Sequence, residues 1–293
     1  MKKFIYCLLL AIASILLLTG AGWGTDKEIC ITFDDLPVVR VSDQIERMMI
    51  TDQILGTLEE YNIAAAGFVV GNNIKDDLGL VRQWLEFGHT IGNHTWSHSD
   101  LNDVPAELYI EDIEKGQNPL EELLKEFKQK DRFFRYPYLH YGNKLSKRKA
   151  VDEYLAGKNY RVAHVSIDTE DYVYNLQFEK IHEAADSIDF IALGSEYLDH
   201  IMTRIEESEK LADELLGRPI KHILLLHANR LNAFFLADLL SELELDGYKF
   251  ISLEKALTDP VYVTEDGYLG PKGLSVLERL AKSDPDLMPA REK

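Results

Sequence analysis

Apolar runs of four to seven residues recur along this chain, separated by longer stretches whose apolar positions follow helical spacing. The runs are Glu28 to Phe33, Ala64 to Val70, His89 to Gly92, Arg132 to Tyr136, Arg161 to Ile167, His222 to Leu226 and Lys249 to Leu253. Each is too short for a helix and is bounded by turn residues, so each is a predicted strand. They read as apolar on both faces, as parallel strands between helices do. Helices are predicted near 42–61, 75–87, 105–129, 143–157, 176–190, 196–216 and 229–245, with starts signalled at Ser42 before Asp43 and across Asp100 to Pro105. Seven strand–helix repeats predict an α/β fold, a barrel of about seven parallel strands. An open doubly wound sheet is the alternative, and it would gather functional residues only near its switch point.

The two ends have a different pattern. Lys2 and Lys3 precede an apolar run from Phe4 to Leu18, then the small residues Thr19-Gly20-Ala21. This is the layout of a cleaved signal peptide over 1–21, and the run is short for a membrane span. An uncleaved N-terminal anchor is the second reading. No cysteine follows the small residues, which argues against a lipoprotein signal. Removing the leader leaves Cys30 alone, between Ile29 and Ile31, as a buried strand thiol with no disulfide partner. A catalytic domain is expected over 28–257. A C-terminal extension over 258–293 carries turn signals and a helix near 273–282, and either caps the barrel or trails from it.

Composition narrows the partners. The net charge is −18, and loss of Lys2 and Lys3 makes the mature chain more negative still. Such a field repels nucleic acid and other polyanions. It leaves neutral substrates open.

The chemistry-bearing residues follow predicted strands. His94 and His98 are four apart, so a turn of helix places them roughly 6 Å apart on one side, near enough for one metal ion. On a strand they would lie about 13 Å apart, too far. Asp34 and Asp35 end the first strand. Adjacent strand residues face opposite ways, so both reach one site only if the strand ends there. One then binds metal while its neighbour faces the attacking water. An aspartate and two histidines suit zinc, and cobalt or nickel would also fit. Arg135 holds the base carboxylate ionised. Pro137 stiffens its turn, leaving the Tyr138 N–H for an oxyanion. His227 is placed to protonate a leaving group, with Asp168 on the neighbouring strand to orient it and raise its pKa. Leu225 or Leu226 would line a small apolar pocket. Among the remaining histidines only His140 lies near the expected mouth. His89, His164, His182, His200 and His222 read as structural or solvated.

Together these segments (Thr32-Phe33-Asp34-Asp35, His94 to His98, Arg135 to Tyr138, Asp168 to Tyr172 and Leu224 to His227) resemble the five motifs of the polysaccharide deacetylases. These are carbohydrate esterase family four, the NodB-type domain. The resemblance runs from about Glu28 to Leu253 and includes Phe68 to Gly71. It implies a distorted barrel, with Asp34 as base, Asp35, His94 and His98 as metal ligands, Arg135 paired with the base, and Asp168 supporting the acid His227. It implies an exported enzyme that removes N-acetyl groups from N-acetylglucosamine-containing glycan. O-acetyl esters of xylan and non-sugar amides are the alternative substrates, and a non-catalytic glycan-binding protein is a third reading. Two departures stand out. Tyr172 occupies a position usually held by tryptophan, and the stretch 173–220 is longer than the family pattern needs. That stretch is expected either to cover substrate or to add scaffold.

Overall fold

The computed structural model describes residues 27–74, 78–184 and 187–283. The predicted leader at 1–21, the end of the tail and the side chain of His182 lie outside this description. Among the described residues no helix is long and apolar enough to cross a membrane.

The first strand, β1 (Lys27–Leu36), organises the molecule. Ile29, Cys30, Ile31, Thr32 and Phe33 are all fully buried, as a strand covered on both faces requires. On one side β1 pairs with β2 (Ala66–Val69), followed outward by β3 (Thr90–Asn93), β4 (Arg132–Phe134) and β5 (Tyr160–Val162). On the other it pairs with β7 (Lys221–His227), which pairs with β6 (Ile167–Asp168). A short β8 (Tyr248–Phe250) pairs with the start of β1. Every pairing is parallel. The sheet curls into the expected distorted barrel.

The long helices cover its outside: α1 (Gln44–Glu60), α4 (Ala106–Glu126), α5 (Leu145–Gly157), α6 (Asp171–Ala184), α7 (Ser187–Leu216) and α8 (Arg230–Leu245). The helix expected near 75–87 is instead α2 (Gly71–Ile74) and α3 (Gly79–Glu86). α1 starts at an Asp43 cap, whose carboxylate accepts the Glu46 N–H at 2.8 Å, and α8 starts at an Asn229 cap. Side chains alternate along β7. Leu224 and Leu226 face the helices, Ile223 fills the barrel floor, and Leu225 joins Phe134, Tyr136 and Val165 beneath the mouth. Burying one such leucine stabilises by about 1.5–3 kcal/mol.

The run Arg161 to Ile167, expected as one strand, divides. Its first part pairs with β4 and its last with β7, while Ala163 to Ser166 crosses between the two sheet edges. Ala163 N–H donates to the Phe134 carbonyl at 2.8 Å, and Ser166 N–H to the Ile223 carbonyl at 3.1 Å. One short run thus serves both edges, and the barrel is joined there by covalent chain rather than by a ladder.

Residues beyond 257 pack into the same body. Val261, Tyr262, Val276 and Leu277 are buried with Cys30, Phe68, Phe133 and Ile223. After α9 (Leu253–Ala256), the last helix is α10 (Val276–Ala281), opened by a reciprocal Ser275–Glu278 cap. Val276 N–H donates to the Val165 carbonyl at 2.7 Å, inside the seam between β5 and β6. The stretch 173–220 is largely scaffold: Phe178, Tyr197, Ile201 and Ile205 are buried in the main core.

Candidate active site

At the C-terminal end of β1 the strand does not stop. It bulges. Phe33 pairs with Gly67 and Leu36 with Val69, so Asp34 and Asp35 together oppose one residue of β2. Asp35 takes a left-handed conformation, φ 64°. That turn, rather than the expected end of the strand, lets two consecutive acids face one site.

The histidine pair sits in a turn after β3, as its spacing requires. Thr95 and His98 are left-handed, with φ 64° and 57°. Asn93 fixes the turn: its side-chain oxygen accepts the Thr95 N–H at 2.8 Å, and its amide donates to the Ile113 carbonyl at 2.8 Å. Thr95 Oγ1 accepts the His98 N–H at 3.0 Å. α4 presses against this turn so closely that a Cβ on Gly116 would lie 2.6 Å from the Thr95 carbonyl carbon. The two imidazole centroids come to 4.9 Å.

Asp35, His94 and His98 each present one ligand atom, all within 4.8 Å of one another. Asp35 Oδ1 lies 3.6 Å from His94 Nε2 and 3.2 Å from His98 Nε2. It is buried and accepts no hydrogen bond from the described residues. His94 Nδ1 faces the Arg135 carbonyl at 2.8 Å. A carbonyl only accepts, so Nδ1 carries the proton and Nε2 offers its lone pair. Burial, with His98 beside it, holds His94 well below the ordinary imidazole range. A buried carboxylate oxygen facing the lone pair of His94 Nε2 and the Nε2 of His98 is a donor set that fits a divalent cation.

Asp34 is 3% exposed. Arg135 Nη1 donates to its two oxygens at 3.1 and 3.3 Å. Arg135 is itself fully buried, tied to Thr32 Oγ1 at 3.1 Å and stacked on Phe68 at 4.3 Å. Burial raises Asp34, against the pull of Arg135, to about 6. That is a useful range for a group that takes and returns a proton near neutrality.

Asp34 and His227 are register partners on β1 and β7. The carboxylate serving His227 is Asp171, not Asp168. Asp171 Oδ1 accepts from His227 Nδ1 at 2.6 Å. Its Oδ2 accepts the His227 N–H, the Asn229 amide and the Asn232 amide at 2.9, 3.1 and 2.6 Å. Burial opposes charge on His227, but Asp171, then Asp35 and Asp34, overcome it and raise the ring to about 10. Asp168 instead caps the chain, accepting the Glu170 N–H at 3.1 Å. The reason is local: β6 ends at Asp168, and three residues later Asp171 opens α6, which points its carboxylate back at β7. Reading along strands missed Asp171, Asn229 and Asn232. The signal available was the pair of polar residues at Asn229 and Asn232 opening a helix immediately after His227.

Tyr138 is 55% exposed, φ 57°, with its ring 4.4 Å from that of His98. Tyr172 is 51% exposed, its ring 6.3 Å from that of His227. Leu225 shares the strand face of His227 and is 4% exposed. His140, 18% exposed, pairs with Asp100.

Comparison with known proteins finds similarity over part of the chain. The polysaccharide deacetylase family model matches residues 22–154. The peptidoglycan-N-acetylglucosamine deacetylase PgdA of Listeria monocytogenes is 31% identical over 153 residues, which is 51% of this chain and 28% of that protein. A peptidoglycan-N-acetylglucosamine deacetylase of Bacillus cereus is 30% identical over 152 residues, 52% of this chain and 49% of that protein. The chain thus spans half or less of the length of these curated relatives. Among solved structures, BA3943 of Bacillus anthracis, a CE4 family pseudoenzyme, aligns with a TM-score of 0.56 at 16% identity, covering 80% of this chain and 66% of that one. At that identity the likeness is one of fold.

Proposed function

We propose, from a chain that carries a polysaccharide deacetylase domain of the NodB type, that this protein hydrolyses the N-acetyl amides of N-acetylglucosamine-containing glycan with a divalent metal. The single observation that carries this reading is the side-by-side placement of Asp34 and His227 at the ends of β1 and β7, with the Asp35–His94–His98 set next to Asp34. A base and an acid then flank one reacting carbonyl.

A divalent ion held by Asp35, His94 and His98 polarises a carbonyl and lowers the pKa of water when bound. Zinc suits this donor set, and cobalt or nickel are the substitutes to test. Asp34, oriented by Arg135, takes the proton of the attacking water. The Tyr138 N–H, which meets no acceptor among the described residues, donates to the oxyanion as the carbonyl becomes tetrahedral. His227, kept protonated by Asp171, delivers its proton to the departing amine. An amine needs that proton far more than an alkoxide does, so the strongly held proton favours amide over ester substrates. Tyr138 and Tyr172 flank the mouth as apolar faces for a sugar ring, over a floor that includes Leu225. The names of the relatives support a peptidoglycan-type or chitin-type substrate. The apolar run Phe4 to Leu18 supports export.

The test is acetate release from N-acetylglucosamine oligomers by metal-stripped protein, with and without added zinc or cobalt. Metal-restored release is the expected result. A folded, metal-loaded protein that releases nothing from the oligomers but deacetylates xylan would overturn the amide reading.

A further inference from the structure

The turn Pro137–Leu139, which carries the Tyr138 N–H, is costly by itself. Tyr138 and Leu139 are both left-handed, φ 57° and 53°. Residues with a Cβ pay for that conformation unless their surroundings impose it. Two contacts outside the metal and proton-transfer groups do so. On one side, His140 Nδ1 lies 2.8 Å from both oxygens of Asp100. Asp100 belongs to the loop leaving His98, and its Oδ1 also accepts the Asn102 N–H at 2.7 Å. On the other side, a Cβ on Gly273 would lie only 1.8 Å from the Tyr138 carbonyl oxygen. The backbone of the C-terminal segment therefore lies directly against the peptide that follows Tyr138. That segment is itself anchored: buried Arg279 donates to Asp266 at 3.0 Å and to the Leu274 carbonyl at 3.2 Å, and lies 3.7 Å over the Tyr141 ring.

We propose that Gly273 and the Asp100–His140 pair are positioning residues of the hydrolase site, a two-sided clamp that holds the Tyr138 peptide in the conformation its oxyanion role requires. The proposal rests on the function proposed above. It gives Gly273, beyond 257, a part in the chemistry through the backbone of Tyr138.

The experiment compares the wild type with His140→Ala, His140→Gln and Gly273→Ala. Hydrogen–deuterium exchange is followed across 136–141 in the metal-free protein, and kcat, KM and zinc affinity in the loaded one. Both alanine variants are expected to speed exchange of the Leu139 and His140 amides while β1 and β7 keep their protection. Losing a well-aimed oxyanion donor costs on the order of 10-fold or more in kcat, with KM and zinc affinity nearly unchanged. His140→Gln keeps a donor for Asp100 and is expected to recover most of the rate. Should Gly273→Ala not fold, the His140 pair decides alone. Unchanged exchange in His140→Ala overturns the clamp. Faster exchange with wild-type kcat overturns its catalytic role. A wild type that releases no acetate overturns the deacetylase reading and the catalytic role with it, while the exchange data still decide the clamp.

Discussion

The site has two halves that are built differently. The half from β1 to β4 holds Asp34, Arg135 and the Asp35–His94–His98 cluster, and it lies inside the matched region, residues 22–154. Its geometry comes from the backbone: a bulge at Asp34-Asp35 and left-handed residues at Asp35, Thr95 and His98. The half from β6 to β7 holds His227, lies outside the match, and depends on side chains. Four donors from His227, Asn229 and Asn232 converge on one carboxylate at the start of α6. Backbone devices leave a compact imprint in sequence, because consecutive residues must carry them. A side-chain network spread over two elements leaves a fainter one, here only the polar pair Asn229 and Asn232 after His227, and the shared partner Asp171 is found only when the elements are packed together.

The largest effect should come from the first half. Asp34→Asn is expected to keep zinc affinity and lower kcat by about 10²–10⁴-fold, the range for a general base. Stopped assays on metal-loaded protein would reveal it, and wild-type turnover would remove Asp34 from the mechanism. Next comes the acid: His227→Ala should lower amide hydrolysis by roughly 10²-fold or more, yet affect an activated acetyl ester much less. Equal losses on both substrates would mean that His227 binds rather than protonates. The two aspartates are separated by pH. Asp171→Asn removes the charge that raises His227, so the ring loses its proton at lower pH. The alkaline limb of kcat should then move down by about 1–2 units, whereas Asp168→Asn should leave it nearly in place. A shift with Asp168→Asn alone would restore the assignment read from the sequence. Smallest is Tyr172→Trp, expected to change KM a few-fold with little change in kcat, as a wall residue with no proton to give.

Much of this was legible beforehand, for identifiable reasons. Buried parallel strands read as short apolar runs, so β1, β2, β3, β4 and β7 were located with their motifs at the right ends. The clustering of His94 and His98 was legible because a shared site demanded a turn between them. What failed was contiguity. Arg161 to Ile167 is one apolar run, yet it serves two edges of the sheet, because the barrel's seam falls within it. Asp168 was chosen because it ends a strand, and the rule that places catalytic groups at strand ends does not extend to the first residue of the helix beyond. The tail looked separate because its composition changes at Thr258. Its buried positions, Val261, Tyr262, Val276 and Leu277, are too widely spaced to show a period.

The central position of β1 also bears on how the protein would recover from denaturation. Asp35 reaches its histidine partners by closing a loop of roughly sixty residues, whereas Asp34 meets His227 only by closing one of roughly two hundred, and loop closure grows costlier with length. Distant pairings of this kind also slow folding. In a refolding time course, zinc capture should therefore return before turnover, with an interval in which the protein holds its metal but has no proton donor.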